Sequence, residues 1–83
     1  MKKVIIISPL KGVVVNPPNG AYHEEVKIGR YIVHAIFLPE EIILYVFRGD
    51  ELKAIISNNN EWFISRLDGE GQNLLNRLMT VYG

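Results

Sequence analysis

Apolar residues in this chain recur with two different periods, and the change of period divides it. From residue 3 to residue 57 they come in short runs rich in Val, Ile, Tyr and Phe, as strands require; beyond residue 60 they recur every three or four residues, as one face of a helix requires. "RYIVHAIFL" (30–38) and "EIILYVFRGDELKAIIS" (41–57) are the clearest strand signals. "KVIIISPLKGVVVN" (3–16) holds two β-branched runs parted by Pro9, Lys11 and Gly12, the pattern of a hairpin or a bulged strand. "NPPNG" (16–20) is a loop, because Pro removes backbone donors and Asn-Gly tolerates positive φ. "AYHEEVKI" (21–28) alternates only in part: Tyr22, Glu24, Val26 and Ile28 share one face and His23, Glu25 and Lys27 the other, which suits an edge strand with a solvated side.

Turn chemistry sets the pairing. With Gly49-Asp50 as a two-residue turn, Gly first as type II′ prefers, paired residue numbers sum to 99: Arg48 opposite Glu51, Phe47 opposite Leu52, Tyr45 opposite Ala54, Ile43 opposite Ile56. Arg48 and Glu51 are expected to close that turn as an exposed ion pair worth about 0.2–1 kcal/mol. A two- or four-residue loop around Pro39-Glu40, the longer preferred because Pro39 starts a primed turn badly, gives a sum of 79, with Ile36 opposite Ile43, His34 opposite Tyr45 and Ile32 opposite Phe47. These registers give the hairpins one face with Ile32, His34, Ile36, Ile43, Tyr45, Phe47, Leu52, Ala54 and Ile56. The other carries Tyr31, Val33, Ala35, Phe37, Ile42, Leu44, Val46 and Ile55, with Arg48 and Lys53 toward the turn.

Both faces are apolar, and one element remains to cover them. The segment 58–83 opens with Asn residues suited to an N-cap and places Trp62, Phe63, Leu67, Leu74, Leu75, Leu78, Met79 and Tyr82 at helical spacing. Gly69 and Gly71 interrupt it, so the spacing predicts a short helix from about Asn60 to Leu67 and a longer one from about Gly71 to Val81. The expected fold is α+β: a single domain over 1–83 with an antiparallel, meander-like sheet of about five or six strands. A C-terminal helical segment packs on one face. The second face must then be covered by the sheet curling toward a small barrel or by another copy of the chain. A bare apolar patch of several hundred Å² would invite aggregation. A homodimer is the preferred answer.

Composition narrows the function classes. A chain of 83 residues is near the lower limit for one independent core. Without cysteine it has no disulfide, Cys-ligated zinc or thiol chemistry, which suits a reducing, cytoplasmic setting. The apolar run of "MKKVIIISPL" is too short for a membrane span or a signal core and reads as a first strand. Nine Lys plus Arg against nine Asp plus Glu leave no basic stripe for a phosphate backbone. Abundant Ile together with seven Asn fits a low-GC genome such as that of a virus or mobile element.

Candidate chemistry is sparse. His23 and Glu25 share a strand face and are the weak metal candidates, with a polar edge strand as the plainer account. His34, with Tyr45 opposite, is the weak catalytic candidate, since imidazole titrates near neutrality, although a hydrogen-bonded core histidine explains it as well. Tyr31 and Phe37 beside Arg30, Arg48 and Lys53 are the candidate binding residues, able as a stacking platform to take single-stranded nucleic acid. "RGD" (48–50) is explained by turn chemistry. No serine elbow or phosphate loop is present, and no cofactor is expected. The expected function is a small non-enzymatic homo-oligomeric protein acting through a protein-interaction surface. A small-barrel nucleic-acid-binding protein is the alternative, and a compact hydrolase or nuclease using His34, with Tyr45 or Glu25, is a third reading.

Overall fold

A computed structural model describes residues 2–5, 10–12, 15, 17, 19–57, 60–63 and 67–82. In chain order its elements are β1 (Lys2–Ile5), β2 (Leu10–Lys11), β3 (Tyr22–Ile28), β4 (Tyr31–Phe37), β5 (Ile42–Arg48), β6 (Glu51–Ser57), β7 (Asn60–Phe63) and α1 (Gly69–Tyr82). The fold is α+β. Its centre is an antiparallel meander, β3 to β6, of four strands with seven residues each. The expected five or six meander strands are therefore four, and the sheet is open rather than curled into a barrel.

The short strands enlarge the β6 side. Along its outer edge β6 pairs with β7 through Ala54–Ile56 and with β2 through Glu51–Leu52, while β1 runs parallel to β7. Of the expected hairpin over residues 3–16, the first run supplies β1, which joins β7, and Leu10–Lys11 from the segment between the runs joins β6, each at a strand end with unpaired backbone groups; residues 6–9, 13, 14 and 16 lie outside the described residues. Asn60–Phe63, expected as the start of a helix, is a strand for the same reason. Pairing with β6 satisfies backbone donors and acceptors, and Trp62 and Phe63 are good strand formers whose spacing to Leu67 only imitates a helical face. Residues 64–66 of that expected helix lie outside the described residues.

Turns behave as their chemistry requires. Gly29 and Gly49, at φ +60° and +65°, occupy the first central position of two-residue turns between β3 and β4 and between β5 and β6. Arg30 and Asp50 keep negative φ, as type II′ demands. β4 and β5 are joined by the longer, four-residue loop, in which the Leu38 N–H donates to the Glu41 carbonyl at 2.8 Å. The sum of 79 holds along the whole β4–β5 ladder, including His34 opposite Tyr45.

The sum of 99 holds only for Arg48–Glu51 and Phe47–Leu52. A bulge then leaves Lys53 unopposed, and beyond it Val46 meets Ala54, Tyr45 meets Ile55 and Ile43 meets Ser57. This corrects the expected faces: Ala54 and Ile56 belong with Tyr31, Val33 and Leu44, and Ile55 moves to the opposite side. The slip places Ala54 and Ile56 in the main core, among Val33, Ala35, Leu44 and Val46, against Leu67, Leu74, Leu75 and Leu78. Leu67, Leu74, Leu75 and Leu78 enter that core from the α1 end of the chain, so α1 takes the Tyr31 face.

Helix α1 begins two residues earlier than its spacing suggests, because Asp68 caps it. The Asp68 side chain accepts the Gly71 N–H at 2.7 Å, and its carbonyl accepts the Gln72 N–H at 2.9 Å. Gly69 and Gly71 therefore open the helix instead of interrupting it. Gly71 also lies hard against the sheet: a Cβ there would come within 2.9 Å of the Tyr31 hydroxyl and 3.0 Å of the Leu67 Cβ.

Candidate functional site

The choice of face by α1 decides which side chains remain for function. Tyr31 is 2% exposed beneath the helix start and donates its hydroxyl to Asp68 Oδ1 at 3.0 Å. Burial, then the bond to Asp68 and its charge, raise the Tyr31 pKa. The Asp68 carboxyl is lowered first by the Gly71 N–H and then by the Tyr31 hydroxyl, with Arg48 adding to the effect. Phe37 sits half-buried against the same core, its ring 5.5 Å from that of Tyr22. Neither aromatic faces outward as a platform for bases.

The cations proposed to flank that platform are occupied. Arg48 reaches Asp68 at 3.0 Å rather than closing the turn with Glu51, since Asp68 is held across the sheet by the helix cap. Arg30 meets Glu70 at 3.5 Å, and Lys53 binds Glu51 at 3.0 Å with Lys11 at 3.9 Å. Lys53, by its hydrogen bond and its charge, holds the Glu51 carboxyl below the usual range. Tyr31, Phe37, Arg30, Arg48 and Lys53 are thus distributed between the core and local ion pairs.

On the side of the sheet away from α1 the structure assembles a different group. His34 is flanked across the β3–β4 ladder by Glu25, and diagonally by His23. His23 Nε2 lies 3.0 Å from His34 Nδ1, and His34 Nε2 faces Glu25 Oε1 at 3.5 Å. With both imidazoles neutral, one proton arrangement satisfies all three: His34 Nε2–H points to the Glu25 carboxylate, and His34 Nδ1 accepts from His23 Nε2–H. Phe47 packs edge-on against the His34 ring, with centroids 5.5 Å apart. Tyr45 lies opposite His34 as expected, but His23 takes the hydrogen bond.

His34 also borders an open cavity of about 400 Å³ whose walls include Ile32, Phe47, Val15 and Asp50. Phe47 and Leu52 are buried on this side with Val15 against them, whereas Ile32, Ile43, Tyr45 and Ile55 are only half-buried. The metal candidates His23 and Glu25 are brought to one cluster, yet they meet opposite nitrogens of His34, so the three donors do not converge. Among the described residues no group of three His, Cys, Asp or Glu side chains forms a metal-binding set. The His23–His34 contact does not follow from strand alternation alone. The signal was Gly29-Arg30, which as a two-residue turn fixes Glu25 opposite His34.

Fold and surface together define a small α+β domain with a helix on one side of an open sheet and a half-covered apolar side opposite. No protein-family model, curated protein or solved structure matches this chain. Among the described residues no helix is long and apolar enough to cross a membrane.

Proposed function

We propose that this protein is a small non-enzymatic protein that works as a homo-oligomer through a protein-interaction surface on the helix-free side of its sheet. One observation carries the reading: the only described helix covers one side of an open sheet, while Ile32, Ile43, Tyr45 and Ile55 on the other side are half-buried, Ile32 in the wall of a cavity. The nucleic-acid alternative gains nothing from the geometry, because Arg30, Arg48, Lys53 and Lys11 each have a carboxylate partner. Light scattering over a concentration series tests the proposal. A dimer is expected, and a monomer at every concentration overturns it.

A second reading, acid–base catalysis, draws on the His23–His34–Glu25 chain, of which His34 borders the cavity. A proton taken by the outer imidazole would be stabilised through His34 by the carboxylate. It requires that His34→Ala abolish a measurable turnover while thermal stability is retained; a variant that only unfolds marks His34 as structural.

A further inference from the structure

The outer edge of β3 is where the meander ends: β3 pairs with β4 and with no other strand among the described residues. Taking from the reading above only that the chain self-associates, and setting the contact at the sheet edge rather than on the helix-free face, we propose that a second copy of this chain docks there, β3 antiparallel to β3, about a two-fold axis at Val26. The joint is a continuous sheet of two meanders.

Backbone alternation, symmetry and charge select this register. A two-residue turn makes Ile28 and Tyr31 a pair that exchanges both hydrogen bonds, so Ile28, Val26, Glu24 and Tyr22 direct their backbone groups to β4. His23, Glu25 and Lys27 direct theirs outward. Opposite residues in antiparallel strands point to the same side, so a two-fold axis perpendicular to the sheet requires a register centred on a residue. Centring on Glu24, Glu25 or Lys27 sets a charge against its own copy, and centring on Tyr22, His23 or Ile28 leaves a short overlap. Centring on Val26 sets Val26 against Val26 and Glu25 against Lys27 twice, using the outward-facing groups of both.

The side chains are placed for this. Lys27 and Glu25 are exposed on the helix-free side, and among the described residues Lys27 forms no ion pair within the chain, unlike Lys11, Arg30, Arg48 and Lys53. Charges along an edge discourage indiscriminate strand addition, and here the same charges admit one self-complementary register. The contact puts both α1 helices on one side and both His23–His34–Glu25 clusters on the other.

The test is a charge swap read by sedimentation equilibrium. Glu25→Lys and Lys27→Glu should each weaken the dimer about tenfold or more, because two opposite-charge pairs become like-charge pairs. The double variant E25K/K27E should restore it, which no register centred elsewhere on β3 allows. Lys27→Pro removes an outward N–H without touching the β3–β4 ladder, so it should give a folded monomer by circular dichroism and mass. A wild-type dimer indifferent to all four variants overturns the β3 joint and leaves the homo-oligomer reading standing. A wild-type monomer overturns both.

Discussion

Replacing Gly71 by Ala asks whether the helix start is pressed onto the sheet. Helix propensity alone favours the change by about 0.5–1 kcal/mol, because Gly71 has ordinary helical φ and alanine restricts the unfolded chain. The added methyl, however, would stand 2.9 Å from the Tyr31 hydroxyl and 3.0 and 3.2 Å from Leu67 Cβ and Cδ2. Both neighbours are buried, so neither can swing into solvent. Overpacking of this kind costs about 1–3 kcal/mol. Displacing Tyr31 from Asp68 forfeits about 1 kcal/mol more. The net expectation is destabilisation by about 1–3 kcal/mol, or a Tm lower by about 5–15 °C for a domain of this size. Gly69→Ala is the control: its Cβ meets nothing within 4 Å, so it should raise stability by up to about 1 kcal/mol. Urea unfolding of both variants, and of Gly71→Ala combined with Tyr31→Phe, is the assay. Removing the hydroxyl should recover part of the loss, a coupling of about 0.5 kcal/mol or more. A Gly71→Ala protein as stable as wild type, or a double variant with no recovery, would refute the close approach and with it the helix seating.

Other consequences can be measured separately. Asp68 has a folded-state pKa below its unfolded value, so its contribution is present above that unfolded value and is lost as pH falls through the folded one; Asp68→Asn should flatten the acid limb of the stability profile, and an unchanged limb argues against the cap. Tyr31 is raised, so its contribution is present below the unfolded value and is lost as pH rises through the folded one; Tyr31→Phe should flatten the alkaline limb. Gly49→Ala places a side chain at φ +65° and should cost about 1–2 kcal/mol in thermal unfolding, whereas an unaffected Tm would remove the primed-turn assignment. Nitrogen-15 NMR of the neutral imidazoles should find His34 as the Nε2–H tautomer, and the neutral Nδ1–H tautomer, with a bare Nε2 facing Glu25, would break the chain from His23 to Glu25.

Much of the meander was legible because local rules agree there. Glycine at the first turn position, the odd and even faces of each strand, and the four-residue loop at Leu38–Glu41 placed β4 and β5 in register without any long-range information. The polar alternation of Tyr22–Ile28 likewise marked an edge strand. The bulge at Lys53 was hidden because Ala54, Ile55 and Ile56 are all apolar, so sliding by one residue leaves no trace in the pattern. Asn60–Phe63 misled for a related reason: apolar residues three or four apart fit a helix until a neighbouring strand edge competes for their backbone groups.

The site divides along the same line. Gly29 suits either a turn or a bulge, so the pairing of Glu25 with His34 came from the ladder itself, although a two-residue turn at Gly29-Arg30 would dictate it. Which aromatic residues face outward was beyond local reasoning, because both sheet faces are apolar and only the packing of α1 distinguishes them. Asp68 makes that distinction concrete: by capping α1 and receiving Tyr31 and Arg48, it ties the helix to one side of the sheet. By itself the sequence determined the elements that depend on neighbours a few residues apart. Tertiary structure decided the face, the bulge and the strand at 60–63, because each depends on burial and backbone pairing between segments far apart in the chain.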